Sequence, residues 1–136
     1  MEKVWLAFAN TDKFDAINCF RVLRYSNWKM GNRRFSVGDI IYFYVSSERK
    51  VMFKTRVEAI NLYNDNWDDD QYWSARERRN AIGKRRMRIV LLEEYNGQDL
   101  DDERLRMYGL PARLSPLEQP VYKKYVDCIE YIQNHF

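Results

Sequence analysis

Histidine, cysteine, proline and glycine are all scarce in this 136-residue chain, with one, two, three and five copies. A single histidine (His135), two cysteines (Cys19 and Cys128) and no Cys-x-x-Cys exclude a zinc site and a disulfide framework. Both cysteines fall on apolar helical positions, which makes them small buried hydrophobes. No apolar run reaches 18 residues, so no membrane-spanning helix is expected. The start, Met1-Glu2-Lys3-Val4, lacks a secretory signal pattern, and the expectation is a cytoplasmic protein. Repeats, low-complexity tracts and His/Cys nucleophile arrangements are missing too. Asp68, Asp69 and Asp70 with Glu93 and Glu94 are the one acidic set able to gather a metal for phosphodiester hydrolysis, but they follow no ligand motif. They read as a solvated loop, and neither an enzyme, a metal nor a cofactor is expected.

What is abundant is aromatic side chain, 15% of the chain, which calls for a large core or a binding surface. The net charge of +3 permits a nucleic-acid partner without demanding one. The length suits a single domain over residues 1–136 that buries about two thirds of its unfolded surface.

The organising stretch is Phe35 to Ser46. Gly38-Asp39 offers the backbone freedom and side-chain acceptor of a tight turn, and Ile40 to Val45 is a run of β-branched and aromatic strand formers. A second run, Val51 to Ile60, follows the charged linker Ser47 to Lys50, so the two read as a central hairpin. Val4 to Ala9 reads as a buried first strand. Thr11 or Asp12 then caps a helix whose Ala16, Cys19, Phe20 and Leu23 share one face. That helix breaks down near Ser26-Asn27, which puts Trp28 in a loop. Asn61 to Gln71 is a polar, acidic loop around Trp67, and Tyr72 to Ala81 is a short helix with Asp70 as its cap. Arg76, Arg78, Arg79, Lys84, Arg85, Arg86 and Arg88 form a basic cluster. Met87 to Tyr95 is a strand, Leu100 to Tyr108 a helix stopped by Gly109, Leu110 to Gln119 a loop, and Pro120 opens a terminal helix. The fold class is α+β, a small, strongly curved mixed sheet or open barrel flanked by helices.

These residues carry a resemblance. The first strand ending in Asn10, the helix, Trp28, and Val37-Gly38-Asp39 leading into Tyr42-Phe43-Tyr44-Val45-Ser46 resemble an EVE domain, a member of the PUA-like superfamily with the YTH and ASCH domains. Met87 to Tyr95, Leu105-Arg106-Met107-Tyr108-Gly109-Leu110 and Arg113-Leu114-Ser115 are similar to EVE-like modules of prokaryotic modification-dependent restriction proteins, often joined to a nuclease. The resemblance covers nearly the whole chain. It implies a PUA-like barrel and a pocket for a single modified base. By position it implies Asn10 as base-edge reader and Trp28 as the first aromatic wall, with Trp67 or Trp73 as the second.

Such a pocket must offset a few kcal/mol of base extrusion. Stacking returns about 1–3 kcal/mol per base, and an amide such as Asn10 offers a donor and an acceptor to a base edge. Lys29 and Tyr44 complete the candidate pocket, and Arg33, Arg34, Arg76, Arg79, Lys84, Arg85 and Arg86 are candidate phosphate contacts. The function expected is a non-catalytic reader of a modified DNA base, 5-methylcytosine foremost, acting by base flipping as the specificity module of a nuclease domain or subunit. The alternative is a module for modified or structured RNA. A metal-dependent nuclease and a protein-interaction module are further classes.

Overall fold

The computed structural model describes residues 2–64, 66–110, 119–120 and 125–136. The elements run β1 (Val4–Ala9), α1 (Ala16–Leu23), β2 (Tyr25–Lys29), β3 (Ile40–Val45), β4 (Lys50–Leu62), a 3-10 turn (Asp70–Tyr72), α2 (Ala75–Asn80), β5 (Arg86–Glu94), α3 (Asp102–Met107), β6 (Gln119–Pro120) and α4 (Val126–Gln133). Among these residues the sheet has six strands in the order β2-β5-β4-β3-β1-β6, with β1 and β3 parallel and the other pairs antiparallel. It is a strongly curved half-barrel flanked by helices, the α+β architecture expected.

Ile40 to Val45 lies between β1 and β4 and is covered on both faces, so its apolar run is continuous rather than alternating. Ile41, Phe43 and Val45 join Trp5, Ala7, Ala9 and the α1 residues Cys19 and Phe20 in one core. Tyr42 and Tyr44 join Leu6, Val51, Leu100, Leu105 and the α4 residues Cys128 and Ile132 in the other. Both thiols are free and buried, and burial pushes Cys19 up to about 12 and Cys128 up to about 11. The curvature has a local source. The 13-residue β4 shifts register once against β3 and three times against β5, and each bulge adds bend and twist.

The turn at Gly38-Asp39 works through both residues. Gly38 has φ +95°, a region closed to most side chains, and the fully buried Asp39 accepts from Ser36 N (2.9 Å), Lys3 N (2.9 Å) and Trp5 Nε1 (3.0 Å). One carboxylate therefore joins the start of β3 to the start of β1.

Several boundaries differ from the sequence expectation. The cap of α1 is Asp15, whose Oδ1 accepts from Asn18 N, while Thr11 and Asp12 belong to a turn closed by Asp12 N donating to Asn10 Oδ1 at 3.0 Å. Ser74, not Asp70, caps α2, accepting from Glu77 N at 3.2 Å. Trp28 is in strand β2, opposite Met87 of β5, rather than in a loop. Pro120 lies in β6, opposite Trp5, and α4 starts at Val126. Arg113, Leu114 and Ser115, along with most of the expected 110–119 loop, lie outside the described residues. Among the described residues no helix is long and apolar enough to cross a membrane, and no group of three metal-ligating side chains gathers.

Candidate base-binding pocket

Where β1 ends, Asn10 turns the chain: its carbonyl accepts from Lys13 N and Phe14 N, and its Oδ1 accepts from Asp12 N. That turn brings Lys13–Asp15 alongside Tyr72–Ser74. Asp15 N donates to Tyr72 O (2.8 Å), Ser74 N donates to Lys13 O (2.9 Å), and Phe14 and Trp73 form an antiparallel bridge. A pocket of about 220 Å³ opens between this seam and the end of β2. It is lined by Phe8, Asn10, Lys13, Phe14, Trp28, Lys29, Met30, Gly31, Arg33, Trp73 and Glu77. Drug-sized sites run about 300–1,000 Å³, so this one is sized for a smaller group.

Trp28 and Trp73 are in contact, with ring centroids 5.3 Å apart and planes at 53°. A ring sandwiched between two parallel walls needs them about 7 Å apart, twice an aromatic contact distance of about 3.5 Å. The two indoles, tilted against each other in contact, form a corner rather than a sandwich. Trp28 is the buried floor, only 8% exposed and held edge-on by Phe43 (5.0 Å) and Phe14 (5.5 Å). Trp73 is the more exposed wall, backed by Phe14 stacked at 4.2 Å and 24°.

The wall is fixed by a carboxylate that sequence reading assigned to a solvated loop. Asp69 is fully buried. Its Oδ2 accepts from Trp73 Nε1 (2.9 Å), Asn27 N (2.9 Å) and Ser26 Oγ (3.1 Å), and its Oδ1 accepts from Asn27 Nδ2 (2.9 Å). Asp68 sits at the surface beside it. Burial works against its charge, yet hydrogen bonds from Tyr25 and Asn27 and the charge of Arg88 hold its carboxyl below the ordinary range. This pair ties the acidic loop to β2 and aims the Trp73 ring.

The expected site residues divide. Asn10, Trp28, Lys29, Trp73 and Arg33 all reach the pocket. Trp67 does not line it: its ring lies over the Arg86 guanidinium at 4.8 Å, so of the two candidates for a second wall only Trp73 lines the pocket. Tyr44 faces the opposite core, at one remove, touching Phe8 edge-on at 5.6 Å. Arg86 is 3% exposed beneath Trp67 and Trp73, 3.9 Å from Asp70, which takes it out of reach of phosphates. Burial lowers its pKa and the charges of Asp69 and Asp70 oppose that shift. Arg85 donates to Asn61 Oδ1 (2.9 Å) and Gly31 O (3.2 Å) and so braces the pocket rim. Arg76, Arg79, Lys84 and Arg34 are exposed. The basic run is thus half scaffold and half surface.

Sequence reading missed Phe14, Lys13 and Glu77. Lys13 and Phe14 sit in a segment read only for its helix boundary, Glu77 sits inside the basic cluster, and their meeting depends on the seam between residues 13–15 and 72–74.

No family model matches the chain, and no curated protein matches it by sequence. Solved structures do match. A hypothetical protein from Leishmania major superposes with a TM-score of 0.63 at 18% identity, over 98% of this chain and 94% of that one. An ASCH protein from Zymomonas mobilis superposes with a TM-score of 0.63 at 12% identity, over 94% of each chain. A serine-to-alanine variant of that ASCH protein gives 0.65 at 13% identity, over 98% and 96%. At these identities the likeness is one of fold. The half-barrel and its flanking helices are shared with that ASCH structure over nearly the full length of both chains.

Proposed function

We propose that this chain is a non-catalytic nucleic-acid reader of the EVE type. It takes one modified base, extruded from DNA, into the corner formed by Trp28 and Trp73. The observation that carries the reading is the pocket itself: a cavity of about 220 Å³ with an aromatic floor and wall and an amide at its edge. Asn10 Oδ1 accepts from Asp12 N through one of its two lone pairs, and the Asn10 amide N–H₂ is the donor it turns toward a base. Stacking on Trp73 supplies about 1–3 kcal/mol, comparable to the few kcal/mol that extrusion costs. Exposed Arg76, Arg79, Lys84 and Arg34 supply phosphate contacts. The physiological setting in this reading is a restriction or defence system in which a nuclease domain or subunit cuts what the reader selects.

The test is a tryptophan-fluorescence titration with short duplexes at fixed low salt, differing at one base: cytosine, 5-methylcytosine, 5-hydroxymethylcytosine or N6-methyladenine. Quenching by one modified duplex, lost in Trp73→Ala with the fold intact by circular dichroism, is the expected result. Equal weak binding to all four duplexes refutes base reading. Displacement of the DNA by matched RNA at equal concentration moves the ligand class to RNA.

A further inference from the structure

Among the described residues Glu77 is the single acidic side chain lining the pocket, and neither stacking on Trp73 nor donation from Asn10 makes use of it. Its side chain is 15% exposed, well removed from bulk water. Its Oε1 lies 3.9 Å from Lys13 Nζ and its Oε2 lies 3.7 Å from Lys29 Nζ. Both separations exceed hydrogen-bond length, so the ammonium groups offset its charge without occupying its lone pairs. Its backbone is fixed independently, with the amide bonded to the Ser74 cap at 3.2 Å. The pocket therefore presents an oriented acceptor at Glu77, a donor at the Asn10 amide, and ammonium donors at Lys13 and Lys29.

A carboxylate offers only acceptor capacity. A base placed against it must present an N–H, and a carbonyl oxygen there meets like partial charge in a poorly solvated site. Cytosine N4 and adenine N6 are exocyclic amino groups beside an unprotonated ring nitrogen, which matches a Glu acceptor flanked by ammonium donors. Thymine reverses that edge, with a 4-oxo group beside a protonated N3.

Resting on the base-reader proposal, we infer that Glu77 is a specificity-determining residue that accepts a hydrogen bond from the exocyclic amino group of the bound base. The pocket thereby selects 4-amino or 6-amino bases over their oxo counterparts. The preference belongs to the base ring itself, in addition to any preference for its modification.

The test uses the full chain and single-stranded 12-mers identical except at one central position carrying 5-methylcytosine, thymine or an abasic site, titrated at one fixed low salt. 5-Methylcytosine and thymine share the ring and the 5-methyl group and differ only on the edge that Glu77 would read. The wild type is expected to favour 5-methylcytosine over thymine by about tenfold or more, the scale of one well-placed base-edge contact. Glu77→Gln, which keeps the side chain's shape and adds an N–H₂ donor, is expected to bring the ratio within about twofold of unity. A wild-type ratio near one, or a ratio unchanged in Glu77→Gln, overturns the assignment of Glu77. If the wild type binds the abasic strand as well as the other two, the base-reader proposal itself has failed. A thermal melt of Glu77→Gln within a few degrees of wild type establishes that the altered ratio reports recognition, and Glu77→Ala supplies a second variant without the new donor.

Discussion

Replacing Asp69 with asparagine removes one charge, barely changes side-chain shape, and tests how the pocket wall is held. The wild-type carboxylate accepts four hydrogen bonds at 2.9–3.1 Å while fully buried. An asparagine oxygen has two lone pairs, and its N–H₂ points two further donors at groups that are themselves donors. Three of the four bonds end on Oδ2, so an asparagine oxygen placed there leaves at least Asn27 Nδ2 without its acceptor in a dry environment, at about 1–3 kcal/mol. Arg86, 3% exposed, also loses a neighbouring negative charge but keeps Asp70 at 3.9 Å, so this cost stays below the about 3–5 kcal/mol of a buried charge stripped of its partner. Together the expected destabilisation is about 2–4 kcal/mol. For a chain of this length that corresponds to a fall of roughly 7–14 °C in Tm. Urea denaturation followed by tryptophan emission measures it, and near-UV circular dichroism reports the loosened Trp73. Asp68→Asn is the matched control: the same chemistry one residue away, with a side chain 52% exposed, where ion pairs are worth about 0–1 kcal/mol. An Asp69→Asn variant within about 1 kcal/mol of Asp68→Asn refutes the claim that burial and hydrogen-bond count make Asp69 the anchor.

Two further outcomes are expected. Arg76→Glu and Arg79→Glu, exposed on α2 next to the pocket, weaken binding to modified and plain DNA alike and flatten the dependence of log K on log salt by about one for each phosphate no longer neutralised; titrations at several salt concentrations measure this. In α3, a hydrogen bond from Arg49 holds the Asp102 carboxyl below its ordinary value of 3.8, against the opposing effect of burial. A depressed folded-state pKa gives stability that is complete above the unfolded value and lost as pH falls through the folded one. The stability difference between wild type and Asp102→Asn is therefore full above pH 3.8 and closes as pH falls further, which equilibrium unfolding at stepped pH detects.

The sheet was legible in the sequence because its strands announce themselves locally. Ile40 to Val45 and Val51 to Ile60 carry the β-branched and aromatic residues, and Gly38-Asp39 carries the turn chemistry. Strand β2 was not legible, for a physical reason. Tyr25-Ser26-Asn27-Trp28-Lys29 has polar residues at its centre, and buried polar groups are normally a mark of loops. Ser26 and Asn27 tolerate full burial because Asp69, more than forty positions later, satisfies them. Neither segment reveals the other when read alone: the strand looks like a frayed helix end, and the loop looks like a solvated acidic tract. The same blindness applied to the arginines. Seven basic residues between 76 and 88 read as one cationic surface, but Arg86 is buried under two tryptophans and Arg85 is engaged with backbone carbonyls.

The pocket inherits this non-local construction, and that bears on how its function should be probed. Trp28 owes its position to β2, Trp73 owes its orientation to Asp69, and Asp69 is also what permits β2 to be a strand. Stability and recognition therefore share one set of hydrogen bonds. A substitution at Asp69, Asn27 or Trp28 removes binding by dismantling the wall and says nothing about which ligand the wall contacts. Asn10 has the same weakness, since its Oδ1 closes the turn that positions Phe14. Trp73 and Glu77 are the two lining residues best suited to separate the effects. Both line the pocket and are partly exposed; the Trp73 ring is held through Nε1, Phe14, Trp28 and Arg86, and the Glu77 backbone amide is bonded to the Ser74 cap. Loss of modified-base binding in Trp73→Ala with the melt preserved, together with a shifted base preference in Glu77→Gln, would locate recognition in this pocket in a way that no variant of the Asp69 network can.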